Sequence, residues 1–234
     1  MESPQTRSVS IHQPNYIPWL GYFYKIFQTD YFVFLDDVQF SNEGMHNYHY
    51  IKTKNGPQRI KIPVLQTLGD KINEVRVRNE LTWQEKHLNL LRENYGNSDH
   101  FDEVFSDFSA LIHEDHEYLS CLNVKIIKFL SNKLGLKTVF VKSSDLNIST
   151  VKEKKIIDIC TALECGIYVS GTGARAYQNE EHFEENGIHL KYSEYKPFKY
   201  KQQFGDFQSN VTILDFLMNC GYNWELVFKQ QASS

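Results

Sequence analysis

The chain opens with a short apolar run, SVSI (8–11), of strand length. Pro18 then starts PWLGYFYKIFQ, where Trp19, Tyr22, Phe23, Ile26 and Phe27 recur at helical spacing. After Thr29-Asp30, YFVFL (31–35) is apolar throughout, the mark of a strand buried on both faces. The pattern predicts strand, helix, strand.

The polar stretch SNEGMHNYHYIKTKNGPQ (41–58) carries the turn pairs Asn55-Gly56 and Gly56-Pro57, which predict a long functional loop running into a hairpin. RIKIPV (59–64) and INEVRV (72–77) alternate and predict strands. TWQEKHLNLLRENYG (82–96) predicts a helix with Thr82 as N-cap, Glu85 completing a capping box and Gly96 at its end. EYLSCLNVKIIKFLSNKLG (117–135) predicts the longest helix, also closed by glycine. Further on, KTVFVKSS (137–144), GIYVSG (166–171) and IHLKYSEY (188–195) predict strands, and TVKEKKIIDICTALEC (150–165) an amphipathic helix. TILDFLMNCG (212–221) predicts the last helix. Strands alternating with helices give the fold class: α/β, a mainly parallel, Rossmann-like sheet with helices on both faces and a β-rich insertion in the first half. At 234 residues a single domain over 1–234 is expected.

Composition narrows the function classes. The net charge of -4 gives no electrostatic case for general nucleic-acid binding. Four scattered cysteines, Cys121, Cys160, Cys165 and Cys220, form neither a disulfide framework nor a zinc knuckle, which suits reduced thiols in a cytosol. MESPQTRSVSI lacks the basic and apolar regions of a leader, and no apolar run approaches the ~18 residues of a membrane helix. A cytoplasmic protein without a membrane segment is expected.

In open parallel sheets, ligands sit beyond the carboxyl ends of the strands, where strand order reverses. That selects IHQPNY, LDDVQF and VSGTGAR. His12 follows the first strand, with Gln13, Asn15 and Tyr16 beside it and Pro14 and Pro18 fixing φ around them: either a packed helix entry or a preformed pocket wall. Asp36 and Asp37 follow the second strand, and would face opposite ways if it continued through them. A metal, a ribose hydroxyl, a general-base role or a turn cap remain open for them. Ser170, Gly171 and Gly173 precede Arg175 at an expected strand-to-helix turn, where amides and a guanidinium suit phosphate or carboxylate. HEDHE (113–117) lacks zincin spacing and reads as a solvated helix start. His46 and His49 lie in the polar loop with no role assigned. No Cys-His setting or Gly-x-Ser-x-Gly elbow is present, which disfavours ordinary hydrolase chemistry.

Six segments, IHQPNYIPWLGYFYKI, YFVFLDDVQFS, IKTKNGPQRIKIPV, WQEKHLNLLRENYG, YVSGTGARAYQNEEHFEENGI and NVTILDFLMNCG, together resemble the WbqC-like family, in order and over nearly the whole chain. The resemblance implies a transferase of bacterial surface-polysaccharide (O-antigen) or specialised-metabolite biosynthesis. It implies acyl or aminoacyl transfer to an amine of a nucleotide-linked amino sugar. By position it supports His12, Gln13, Asn15, Tyr16, Asp36, Asp37, Gln39, Asn47, Gly171 and Arg175 as pocket residues. Many members are more arginine-rich where this chain reads SNEGMHNYHYIKT, so the substrate of this loop is expected to differ.

In the resulting scheme His12 is the general base on the attacking amine, since an imidazole's ordinary pKa near ~6.5 suits neutral pH. Asp36 or Asp37 orients the histidine or the acceptor. Arg175 and the amides of Gly171 to Gly173 hold phosphate or carboxylate. The partner is a small molecule, a nucleotide-linked sugar or acyl donor; cofactors stay open, and no metal site is assigned. Two alternatives stand beside this one: a nucleotidyltransferase-like enzyme using ATP, and a non-catalytic sugar-binding module whose aromatics stack on sugar rings.

Overall fold

The computed structural model describes residues 6–233. The reading of the first residues as free of a leader falls partly on residues 1–5, outside the described residues. In chain order the elements are β1 (Ser8–His12), α1 (Leu20–Phe27), β2 (Tyr31–Phe34), β3 (Tyr48–Thr53), β4 (Gly56–Lys61), β5 (Val64–Leu65), β6 (Arg76–Val77), α2 (Trp83–Tyr95), α3 (Phe101–His113), α4 (Leu119–Lys133), β7 (Val139–Lys142), α5 (Lys152–Ala162), β8 (Ile167–Gly171), α6 (Glu180–Glu185), β9 (His189–Ser193), α7 (Ile213–Cys220) and α8 (Trp224–Ala232). They divide into two compact units interleaved in sequence. The first holds the chain up to Gln13, Gly21–Asp37 and Leu136–Tyr195; the second holds Pro14–Leu20, Val38–Gly135 and the chain from Lys196.

The first unit is a five-stranded sheet in the order β7-β2-β1-β8-β9, parallel throughout. Alternation along the buried strands supplies two apolar faces. Val9, Ile11, Val33, Tyr168 and Leu190 point to one, where Ile157, Ile159 and Cys160 of α5 and Phe183 of α6 cover them. Phe32, on the other, meets the Tyr22 ring of α1 at 5.3 Å between centroids. The sheet is therefore covered by helices on both faces, as a parallel sheet requires. Burial of each such side chain contributes about 1.5–3 kcal/mol. The chain builds β1, β2 and β7 outward on one side, then returns to the far side of β1 for β8 and β9. Strand order thus reverses between β1 and β8, and these two part early. They pair only at Ser8↔Ile167 and Val9↔Tyr168, whereas β8 and β9 stay paired from Ile167 to Gly171.

The second unit holds the β3–β4 hairpin, the β5–β6 pair and helices α2, α3, α4, α7 and α8. Leu88, Leu91, Val104, Phe108, Ile126, Ile127, Phe216 and Leu217 form its apolar interior. A polar knot ties α7 to the preceding segment. The fully buried Asp215 accepts hydrogen bonds from Tyr95 Oη at 2.9 Å, Tyr200 Oη at 2.8 Å and Gln202 Nε2 at 2.7 Å. Burial raises its carboxyl above the ordinary range, against these three donors.

Several expectations need correction. The expected hairpin is present, but the polar stretch is loop only up to residue 47: Tyr48–Thr53 is β3, paired with β4 from Tyr48↔Lys61 to Thr53↔Gly56, with His49, Lys52 and Thr53 buried. INEVRV is one 3-10 turn, Ile72–Glu74, followed by the two residues of β6. Thr82 does not cap α2 with its side chain; it sits at φ 46, and its N–H donates to Asn79 O. HEDHE begins at the end of α3 rather than at a helix start, and α3 itself went unpredicted. Pro18 and Trp19 precede α1, with Trp19 bridged to Thr212. The turn after β8 is a 3-10 segment, Thr172–Tyr177, and α8 follows the helix taken as last. Among the described residues no helix is long and apolar enough to cross a membrane.

Candidate functional site

At the carboxyl edge of the first unit, His12 closes β1 and its Nδ1 lies 3.0 Å from Gln13 O. A carbonyl only accepts, so Nδ1 carries a proton, and in its neutral form the ring has its lone pair on Nε2. The ring packs edge-on against Tyr22 at 4.8 Å, and Tyr22 Oη donates to Gln13 O at 3.0 Å. Gln13 thus serves through its backbone carbonyl, which fixes both aromatic groups.

The parting of β1 and β8 leaves backbone to satisfy. His12 O turns toward β2, accepting from Leu35 N at 2.9 Å. By alternation Ile11 O faces the β8 side, where pairing has stopped, and Lys25 Nζ of α1 donates to it at 3.3 Å. Ser10 Oγ spans the same gap to Val169 O at 2.8 Å. Lys25 is buried beside the Phe32 ring, and burial lowers its ammonium to about 7. The sequence reading missed this residue. Its signal was a lysine inside the apolar pattern of GYFYKIF.

Asp36 and Asp37 lie past β2, which stops at Phe34, so strand alternation no longer separates them. Asp36 accepts from Ser144 N at 3.0 Å and Ser144 Oγ at 2.8 Å. Asp37 accepts from Ser143 Oγ at 2.5 Å and pairs with Lys155 Nζ at 2.7 Å. Burial pushes the Asp37 carboxyl up, but the Lys155 and Ser143 contacts outweigh it and leave it below the ordinary range. Both aspartates therefore tie the end of β2 to the turn after β7 and to α5. The Lys155–Asp37 pair is nearly closed to solvent, at 6% and 14% side-chain exposure. Replacing Lys155 by methionine leaves a buried carboxylate uncompensated, and we expect a loss of about 3–5 kcal/mol in chemical unfolding at pH 7. Asp37→Asn in the same background should restore part of it.

After β8, Ser170 is buried in the sheet, while Gly171 and Gly173 stand beside open space: a Cβ on either meets nothing within 4 Å. Neither adopts a left-handed φ. Packing and backbone do not demand glycine at these positions, which leaves the main chain open to close approach by a ligand. Arg175 lays its guanidinium 4.4 Å from the Tyr192 ring centre and 3.9 Å from Glu194, an exposed pair that offsets part of its charge.

The other expected pocket residues belong to the second unit. Asn15 and Tyr16 are buried there, and Tyr16 Oη lies 2.9 Å from His87 Nδ1. His87 Nε2 meets Lys61 O at 3.2 Å, so Nε2 donates and Nδ1 accepts from the tyrosine. Tyr16 thereby spends its hydroxyl within the fold. Asn47 Nδ2 donates to Ile62 O at 2.9 Å, and Gln39 is exposed on a bridge to Lys71. His46, His49 and Asn123 are also buried in this unit, a grouping that only the tertiary structure makes visible. Among the described residues no three His, Cys, Asp or Glu side chains gather as a metal site.

No solved structure matches the chain. It is 36% identical over 221 residues to the uncharacterized protein Rv1507c of Mycobacterium tuberculosis (strain ATCC 25618 / H37Rv), covering 92% of this chain and 94% of that one. The WbqC-like protein family model matches residues 13–225, and the chain belongs to that family.

Proposed function

We propose that the protein is a cytoplasmic transferase that forms an amide between an activated acyl or aminoacyl group and the amine of a nucleotide-linked amino sugar, in bacterial surface-polysaccharide or specialised-metabolite biosynthesis. The observation that carries this reading is the position of His12. It stands where β1 and β8 part, with Nδ1 held on Gln13 O and the lone pair therefore on Nε2. A base so placed takes the proton from the amine as its nitrogen attacks the acyl carbonyl. The tetrahedral adduct then collapses, and the leaving group departs with that proton. Gly171, Gly173 and Arg175 follow the neighbouring strand β8 and receive the diphosphate through backbone amides and the guanidinium. Asp36 and Asp37 brace the edge through Ser143, Ser144 and Lys155 rather than acting on protons themselves.

The strand order β7-β2-β1-β8-β9, built outward from β1 on both sides, also favours a second reading, nucleotidyl transfer from ATP at the same edge. One assay separates the two. The protein is incubated with uridine diphosphate glucosamine and a panel of acyl and aminoacyl thioesters, with and without ATP, and products are read by mass. An acylated nucleotide sugar formed without ATP is expected. Pyrophosphate release dependent on ATP would replace the proposal with the second reading, and no product from any combination would remove both.

A further inference from the structure

Five side chains of the second unit, each no more than 3% exposed, hold polar atoms that meet no partner of normal hydrogen-bond geometry in the chain. They are Asn15 Oδ1, both ring nitrogens of His46, Asn47 Oδ1, both ring nitrogens of His49, whose ring is also drawn to the Tyr50 backbone outside that geometry, and Asn123 Oδ1. Buried polar atoms are nearly always paired, because leaving one unpaired forfeits its hydration for nothing.

Two chain segments laid side by side carry most of them. Tyr16 N donates to Met45 O at 3.1 Å, and Asn123 Nδ2 donates to both Pro14 O at 2.9 Å and His46 O at 2.7 Å. His49 follows on β3, its ring stacked on Trp19 at 6.2 Å. The backbone is strained at the same place. Ile17 sits at φ 35 and Met45 at φ 56, a region that a β-branched residue such as isoleucine rarely enters.

The unpaired set has a definite chemistry. The Nδ2 groups of Asn47 and Asn123 are committed to backbone carbonyls, so what these amides leave open is acceptor oxygen. Burial lowers His46 and His49 to about 4, so both rings are neutral at pH 7, each with one N–H and one lone pair. Three amide oxygens and two ring lone pairs stand against at most two N–H donors, that of His49 being turned in part to the Tyr50 backbone. Such a set is matched by a group that brings hydrogens, and mismatched by phosphate or carboxylate.

We propose that Asn15, His46, Asn47, His49 and Asn123 form a binding site in the second unit for a small ligand rich in hydroxyl or amine hydrogens, such as a hexose or an amino hexose. The site stands independently of the reaction assigned to the first unit. The turn Ser41–Met45 closes it: Ser41, Asn42 and Glu43 are exposed, and Gly44 lies so close to His46 that a Cβ there would fall 2.1 Å from Nε2. Entry therefore lifts this turn, and the left-handed Met45 is where it is already strained.

The test uses full-length protein labelled with nitrogen-15 in histidine, titrated with glucosamine, glucose and inorganic phosphate. Saturable shifts of the His46 and His49 ring nitrogens with a sugar, and none with phosphate, are expected. In His46→Leu, Tm should rise by about 2–4 °C, since two unpaired buried atoms are gone. Sugar binding read at His49 should weaken roughly tenfold or more, the worth of a hydrogen bond. No saturable shift with either sugar, or a larger response to phosphate, overturns the proposal. So does a lowered Tm in His46→Leu with sugar binding intact, which would assign the imidazole to the fold alone. If that variant does not fold, the titration of the unsubstituted protein decides.

Discussion

If the proposed acyl transfer holds, His12→Ala is expected to lower the rate with uridine diphosphate glucosamine by about 10²–10⁴, the usual contribution of a positioned general base. The loss should fall on turnover, because the proposed site for the diphosphate is the turn after β8 and not the imidazole. The fold should not change. His12 is only partly buried, and one of its contacts is to the neighbouring Gln13 carbonyl, which Tyr22 Oη also reaches. Unchanged thermal unfolding with turnover lost is the expected pair of results. Full activity in His12→Ala would assign the edge to binding and favour the sugar-binding module. A further consequence concerns Lys25. Lys25→Met removes the donor to Ile11 O one residue ahead of His12 and should lower turnover through misplacement of the imidazole.

The second large effect is acid sensitivity of the second unit. His46, His49 and His87 are buried there, and burial holds all three at about 4 against roughly 6.5 in the unfolded chain. Between those limits the unfolded chain binds protons that the folded chain does not. Stability therefore falls as pH falls from about 6.5 to about 4, and is level above that window. Each imidazole contributes up to about 1.4 kcal/mol per pH unit, so the three together approach 4 kcal/mol per unit. Two such units remove about 8 kcal/mol, a large share of total stabilities of about 5–15 kcal/mol. Urea midpoints measured across pH 7.5 to 4.5 should therefore fall steeply. In His46→Leu the slope should drop by about a third. Midpoints that stay level down to pH 4.5 would mean that the three rings are protonated in the native state.

How much of this the sequence disclosed depends on where each residue finds its partners. β1 and β2 were legible because SVSI and YFVF are local apolar runs, and their order with the helix between them implied a parallel sheet. β3 was not, because Tyr48-His49-Tyr50-Ile51-Lys52-Thr53 looks polar. Lys52 is buried by Gln202 and the Asp206 carbonyl, some 150 residues away. α8 escaped notice since Val227 alone is fully buried in it. The chemistry divides the same way. The rule that strands point their carboxyl ends at ligands selects His12, Asp36, Asp37 and the Gly171–Arg175 turn, and they lie at the carboxyl ends of β1, β2 and β8. The motif beginning at His12 was read as one wall, yet Pro14 and the residues after it join the second unit. That change rests on contacts to Met45 and Asn123, and nothing local announces it.

A crystal structure with uridine diphosphate glucosamine bound tests the central assignment most directly. The account predicts the diphosphate against the Gly171 and Gly173 amides and Arg175, and the sugar amine within hydrogen-bond reach of His12 Nε2. Density for the nucleotide away from the carboxyl edge of the five-stranded sheet would contradict it.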